Sequence, residues 1–149
     1  MRVAGVVIYT DGGSRNNPGH AGAGAVIYDG DKIAATLSEY LGTQTNNWAE
    51  YEAVIRALEK AKALGLKGRE IEVRLDSELV VKQLGGEYQV KEETLWPQFM
   101  RVHNLLVKDF KNIRFVHIRR EKNKEADALA NKAMDKAMDK AMDQAPSRH

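Results

Sequence analysis

The chain has 149 residues, 43% of them hydrophobic and 30% charged, which favours one globular domain with a substantial core. It contains no cysteine, so disulfides, thiolate zinc sites and a cysteine nucleophile are excluded. The formal net charge is only +2, so a site for a polyanion must come from a local arrangement of charges rather than from a protein-wide field.

The first half of the chain predicts three strands and a helix. Residues 3–11, 21–28 and 32–40 read as an antiparallel meander, with the turn sequence "DGD" (29–31) as the signal for the second hairpin. From Asn47 the apolar period changes to that of an amphipathic helix, which ends near Gly65. The inward residues of that helix are predicted to be Tyr51, Val54, Ile55, Leu58 and Ala61.

The second half predicts two more strands, each reached through helices. Residues 70–76 and 112–118 are the strands, 77–84 and about 95–110 are helices, and the chain is helical from Asn123 onward. The inward residues of the helix at 95–110 are predicted to be Trp96, Phe99, Val102, Leu106 and Phe110. The order βββαβααβα predicts an α/β fold in which residues 1–149 form one domain, with a mixed five-stranded sheet, three strands antiparallel and two parallel, flanked by helices.

The C-terminal tail carries a short repeat, "KAMD", at 132, 136 and 140. Its methionines, Met134, Met138 and Met142, form an apolar stripe along a helix. Two interpretations stay open: a docking surface for a partner protein, or a helical extension over about 135–149 with a frayed "APSRH" end.

Four acids lie at ends of predicted elements: Asp11, Glu50, Asp76 and Asp127. In a sheet covered by helices, the carboxyl ends of central strands and the nearby helix starts form the crevice where sites are built. Each acid except Asp11 also has a structural interpretation. Glu50 completes a capping box with Asn47, Asp76 caps the next helix, and Asp127 favours the dipole of a helix capped by Asn123.

Bringing four carboxylates together is costly unless cations neutralise them, and oxygen ligands suit magnesium or manganese. Two such ions can activate a water and stabilise the leaving oxygen in an attack on phosphorus. The acids therefore indicate metal-dependent phosphodiester chemistry.

The sequence resembles type 1 ribonuclease H over residues 6 to about 134. The matching segments are "YTDGGSRNNPGHAGAGAVIY", "TNNWAEYEAVIRAL", "RLDSELVVKQLGGEYQVK" and "REKNKEADALANKA", and the successive acids are 39, 26 and 51 positions apart. The resemblance implies an RNase H-like fold and a magnesium-dependent endonuclease that cuts the RNA strand of RNA/DNA hybrids, leaving 3′-hydroxyl and 5′-phosphate ends. It implies that Asp11 and Asp76 share two ions, that Glu50 holds one and senses the 2′-hydroxyl, and that Asp127 completes the other.

The resemblance also implies the substrate contacts. The glycines would let backbone approach the substrate, a phosphate pocket would take the DNA strand, and Asn46 would lie in the minor groove; turn formation and helix capping are the alternatives for the amides. The predicted contact residues are Gly12, Gly13, Asn17, Thr45, Asn46, Asn47, Ser77 and Glu78.

Three departures from the family pattern matter. Glu78 stands where a glutamine is usual, "GGEYQVKEE" (85–93) replaces a lysine-rich loop, and Arg120 stands where many relatives have a histidine. We expect looser, more salt-sensitive binding, and a role for Arg120 in releasing the cleaved phosphate. Basic residues concentrate at Arg119, Arg120, Lys122 and Lys124, and two interpretations of this cluster stay open: a local nucleic-acid site or a solvated loop.

Two other function classes stay open: a catalytically idle hybrid- or duplex-binding module, and a protein-interaction unit acting through the tail. The sequence offers no apolar stretch long enough to span a bilayer and no leader, so we expect a soluble, cytoplasmic monomer without a membrane partner. We also expect no extra hybrid-binding module, because the matching region begins almost at Met1.

Overall fold

A computed structural model describes residues 5–143, with side chains described to Lys140. The elements follow the predicted order βββαβααβα. The strands are β1 (Val6–Ser14), β2 (Gly19–Asp29), β3 (Lys32–Gln44), β4 (Ile71–Leu75) and β5 (Ile113–His117). The helices are α1 (Asn46–Ala63), α2 (Glu78–Leu84), α3 (Trp96–Lys108) and α4 (Lys124–Asp143), and short 3-10 turns at Glu93–Leu95 and Arg120–Lys122 precede α3 and α4.

The five strands form one mixed sheet in the order β3-β2-β1-β4-β5. β1 pairs antiparallel with β2, which pairs antiparallel with β3, whereas β4 is parallel to both β1 and β5. The predicted fold class is therefore confirmed. The β2–β3 turn at Gly30 needs φ = +63°, which glycine adopts without steric cost.

Helices cover both faces of the sheet. The predicted inward face of α1 is confirmed, because Tyr51, Val54, Ile55, Leu58 and Ala61 are all fully buried. On the opposite face α4 approaches β2 so closely that a Cβ on Gly24 would overlap the Ala126 carbonyl oxygen and lie 2.6 Å from the Ala130 nitrogen. None of the helices in residues 5–143 has the length and apolar character that a membrane span requires.

Several boundaries differ from the sequence prediction. β1 does not stop at Asp11 but pairs through Gly12 and Gly13 to Ser14, and β3 is four residues longer than predicted because its pairing with β2 continues to Gln44. The predicted start of β1 at Val3, the side chain of Met142 and the segment 145–149 lie outside the described residues.

One predicted inward residue of α3 is wrong. Trp96 is 49% exposed, while Leu95, one residue earlier, is 2% exposed and Gln98 is 3% exposed. The Trp96 indole donates to the Val90 carbonyl at 2.8 Å, so the ring lies across the chain that enters the helix. Val102 and Phe110 are buried as predicted, with Phe110 just beyond the helix end.

The close contact between α4 and β2 makes a stability prediction. Gly24→Ala would place a methyl group in the backbone of α4, and we expect it to lower the free energy of unfolding by about 3 kcal/mol, because overpacked backbone cannot relax locally. Gly13→Ala is the matched control, since its Cβ would have only the Asn46 side chain within 4 Å, at 3.8 Å. Urea denaturation of both variants measures the difference, and equal losses would contradict this account of the packing.

Candidate active site

All four acids line one cleft at the ends of β1 and β4, between the starts of α1 and α4. The cleft has a volume of about 340 Å³. Besides Asp11, Glu50, Asp76 and Asp127, its walls include Arg120 from the turn before α4 and Arg15 from the loop after β1. The sheet and helix ends thus gather side chains that are far apart in sequence, as expected for this class of fold.

The first glycine after Asp11 has a packing role that the sequence did not predict. A Cβ on Gly12 would overlap the Ala49 carbonyl oxygen and lie 2.7 Å from the Glu50 nitrogen, so Gly12 lets α1 pack against β1. Gly12 therefore lets α1 bring Glu50 to the same cleft as Asp11. Gly12 and Gly13 both line this cleft, and Gly13 lies beside the Asn46 side chain.

Asp76 is not the cap of α2, contrary to the structural interpretation of its position. Ser77 is the N-cap, because its hydroxyl accepts from the Val80 amide at 3.2 Å. The Asp76 carboxylate instead accepts a hydrogen bond from the side-chain nitrogen Nδ2 of Asn123 at 3.0 Å. The same nitrogen also donates to the Thr10 carbonyl oxygen at 2.8 Å. The residue that holds the Asp76 side chain therefore lies just before α4, far from Asp76 in sequence.

Asn123 is a functional candidate that sequence reasoning missed. We predicted it only as a cap of α4, and the Asp127 amide does donate to its carbonyl oxygen at 3.1 Å. Its side chain, in a residue only 1% exposed, bridges β1 and Asp76 instead. The available signal was a short amide four residues before an acid at a strand-to-helix junction, a signal that local capping explains equally well.

The predicted capping box of Asn47 and Glu50 is wrong. The N-cap of α1 is Thr45, whose hydroxyl accepts from the Trp48 amide at 3.2 Å, so neither Asn46 nor Asn47 caps this helix. Within the described residues, Glu50 Oε2 is buried without a hydrogen-bond partner. A carboxylate oxygen left in this state is costly in free energy unless a donor or a cation meets it.

Burial and mutual repulsion raise the pKa of two of these acids. The pKa of Asp11 rises to about 8, first because burial disfavours its charged form, and then because of the charge of Asp76 and a hydrogen bond with Asp127. Burial also raises the pKa of Glu50 to about 7, although the Ser77 hydroxyl and the charge of Arg120 oppose the rise. The cleft thus concentrates negative charge that its protein surroundings do not neutralise.

The donor set fits a hard divalent cation. Every oxygen in the set belongs to a carboxylate, and Glu50 Oε2 is buried without a hydrogen-bond partner in the described part of the chain. The pKa values of Asp11 and Glu50 are raised, and a bound cation would lower them. As they stand, no three Asp, Glu or His side chains among the described residues are close enough together to hold an ion.

The predicted substrate residues divide into two groups. At the rim of the cleft, the Asn46 side-chain oxygen accepts from the Ser14 backbone amide at 2.8 Å. The Asn46 backbone amide donates to the Asn17 side-chain oxygen at 3.0 Å. Thr45 and Asn47 are exposed next to them. Ser77 lies beside Glu50 and Asp76 in a small pocket behind the cleft, whereas Glu78 is exposed in the first turn of α2 and lines neither.

Comparisons with known proteins agree with this architecture. A family model described as "Reverse transcriptase-like" matches residues 9–133. The chain is 44% identical over 127 residues to ribonuclease HI of Halobacterium salinarum, covering 85% of this chain and 62% of that protein. It is 41% identical over 131 residues to the bifunctional protein Rv2228c of Mycobacterium tuberculosis, covering 87% of this chain and 35% of that protein. The chain thus spans less than two thirds of either relative.

Solved structures give a fuller match. LC11-RNase H1, isolated from compost by a metagenomic approach, superposes with a TM-score of 0.86 at 50% identity, covering 91% of this chain and 99% of that one. A second structure of LC11-RNase H1 is a complex with an RNA/DNA hybrid. The shared sheet, the family match and these identities together show that the chain belongs to the type 1 ribonuclease H family.

Proposed function

We propose that this chain is an endonuclease that hydrolyses the RNA strand of RNA/DNA hybrids with the help of divalent cations. The observation that carries the proposal is the cleft in which four carboxylates gather, one of them with its pKa raised to about 8. Family membership and the hybrid complex of LC11-RNase H1 support the choice of substrate.

Asp11, Glu50, Asp76 and Asp127 would hold two magnesium ions, with manganese as a possible substitute. When bound, the two ions supply an activated water and stabilise the leaving oxygen of an in-line displacement at phosphorus, which leaves 3′-hydroxyl and 5′-phosphate ends. Asn123 holds the Asp76 carboxylate in one orientation, and the approach of α1 to Gly12 brings Glu50 to the same cleft. Asp11 and Asp76 would help to hold both ions, Glu50 would hold one of them and Asp127 would hold the other.

The polar rim of the cleft would bind the hybrid. Thr45, Asn47 and Asn17 present short polar groups for the phosphate of the DNA strand, and Asn46 and Gly13 lie between them and the acids. Glu50 would read the ribose 2′-hydroxyl, a group that DNA lacks. Arg120, a cation in the wall of the cleft, would attract the cleaved phosphate and assist its release.

An idle hybrid-binding module with the same fold is the alternative, and the presence of all four acids disfavours it. Residues 135–149 as a helical extension of one domain, a monomeric state and a cytoplasmic location stay predictions. Gel filtration with mass detection checks the monomer. The Met134 side chain is 5% exposed, which favours a packed extension over a docking stripe at that position.

The direct test compares a labelled hybrid, a labelled duplex RNA and a labelled duplex DNA in parallel. We expect the protein in magnesium to cut the RNA strand of a hybrid and to leave duplex DNA intact, because only the hybrid offers a 2′-hydroxyl on one strand and a deoxy backbone on the other. Excess chelator should stop the reaction. Hybrid binding in magnesium without any cleavage would favour the idle module over the enzyme.

A charge deletion at Asp11 tests the role of the acids. Asp11→Asn preserves the shape of the side chain but removes a half-buried carboxylate, and we expect kcat to fall by at least about 100-fold while the fold is kept. Asp31→Asn, in the exposed β2–β3 turn, is the matched control and should keep full activity. Near-normal turnover of Asp11→Asn at ordinary magnesium would contradict the assignment.

The raised pKa values also predict how the cation-free protein responds to pH. The folded state binds protons at Asp11 and Glu50 more tightly than the unfolded state, so their contribution to stability is fully present below the unfolded pKa values of 3.8 and 4.5. It is lost as pH rises through the folded pKa values, which are about 7 for Glu50 and about 8 for Asp11. In chelator, Asp11→Asn should therefore melt above the parent protein at pH 8, by at least about 3 °C, with a smaller gain at pH 5.

Asp31→Asn controls for the loss of a surface charge and should show no pH-dependent gain. Thermal unfolding followed by circular dichroism gives both melting temperatures, and added magnesium should raise that of the parent protein at pH 8. If Asp11→Asn melts below the parent protein at pH 8 in chelator, the charged form of Asp11 does not lower the stability of the folded state, and this prediction is wrong.

A further inference from the structure

A single arginine joins the loop after β1 to the middle of α4. The Arg15 guanidinium nitrogen Nη2 donates to Asp135 Oδ1 at 2.5 Å and to Asn131 Oδ1 at 3.1 Å. It also lies 3.3 Å from the Asn131 carbonyl oxygen, while Nη1 is 3.8 Å from the sulfur of Met138. These contacts, called here the Arg15 anchor, span about 120 residues of sequence.

The loop that Arg15 anchors is the one that faces the start of α1. The Arg15 amide donates to the His20 carbonyl at 2.9 Å and closes the loop, and the Ser14 amide before it donates to the Asn46 side chain at 2.8 Å. On the far side, Asn17 Oδ1 accepts from the Asn46 amide at 3.0 Å. The loop therefore bridges two helices, with α1 attached at Asn17 and Ser14 and α4 attached at Arg15.

The anchor also has a direct connection to the catalytic cleft. Asp127, Asn131 and Asp135 are spaced four residues apart, so they follow one side of α4. The Asn131 side chain donates to the Asp127 carbonyl at 2.9 Å, and Arg15, Asn131 and Asp127 line the same cleft. The helix that presents an acid to the proposed cations thus also fixes the loop at the rim.

We propose that Arg15 is a positioning residue that, through Asp135 and Asn131, holds residues 15–18 in the arrangement that binds the hybrid. The inference rests on the proposed function and adds a role for the first KAMD repeat. A loop that is already ordered loses less conformational freedom when it binds its ligand. The anchor therefore sets the affinity for the hybrid, seen as KM, and leaves the chemical step unchanged.

The repeat itself offers a matched control. Asp135 and Asp139 occupy the same position in successive repeats and both are exposed, but only Asp135 forms an ion pair among the described residues. The ion pair is partly exposed, with 33% of the Arg15 side chain and 60% of the Asp135 side chain accessible, so its loss should not unfold the protein. Asp139→Asn removes the same charge without touching the anchor.

Steady-state cleavage of a hybrid in magnesium tests the role in binding. We expect Asp135→Asn and Arg15→Gln to raise KM by about 3- to 10-fold with kcat within about twofold of the parent protein. Arg15→Lys should recover part of the loss, the double variant should match the single variants, and Asp139→Asn should behave as the parent protein. Equal KM values for Asp135→Asn and Asp139→Asn, or a fall in kcat alone, would overturn the proposal.

Hydrogen exchange separates this inference from the proposed function, because it needs no substrate. The amides of Ser14 and Arg15 should exchange faster in Asp135→Asn than in Asp139→Asn, while amides in the core of α1 stay equally protected. Unchanged exchange at Ser14 and Arg15 would overturn the anchor whatever the kinetics. A parent protein that leaves every hybrid intact would refute the proposed function, whereas faster exchange in Asp135→Asn alone would still support the anchor.

Discussion

Repulsion among half-buried carboxylates is the constraint on which the rest of this structure depends. Asp11 and Glu50 are held where burial alone opposes their ionisation, and Asp76 adds a like charge to each. Such a cluster lowers stability unless cations neutralise it, so the fold must hold the acids in place by contacts made elsewhere. The stability of the surrounding helices and strands offsets the free-energy cost of holding the carboxylates close together.

Close backbone packing supplies part of that support. Glycine at position 12 lets α1 approach β1, and glycine at position 24 lets α4 approach β2 on the other face. Both helices carry an acid of the cleft near their starts, Glu50 on α1 and Asp127 on α4. Because these two glycines let each helix pack closely on the sheet, they also bring the carboxylate on each helix to the cleft.

Polar contacts between elements supply the remainder. Asn123 joins β1, Asp76 and the start of α4, and the Arg15 anchor joins the loop after β1 to the middle of α4. The rim of the cleft is thus built mainly from loops and helix starts, each attached to a neighbour by short side chains. The segment after α2 is different, since its charged residues include Glu87, Glu92 and Glu93 but only one lysine, Lys91. Its charge does not favour a polyanion.

The sequence by itself determined the fold class, the order of the elements and the buried face of α1, because periodicity and turn residues act over short distances. Only the tertiary structure decided that Thr45 and Ser77 are the caps, that Trp96 is exposed and that Gly12 faces α1. It also decided the partners of Asn123 and Arg15, which lie more than 45 residues away in sequence. Capping and amphipathic patterns can each be satisfied by several neighbouring residues, and the choice among them is made when distant surfaces meet.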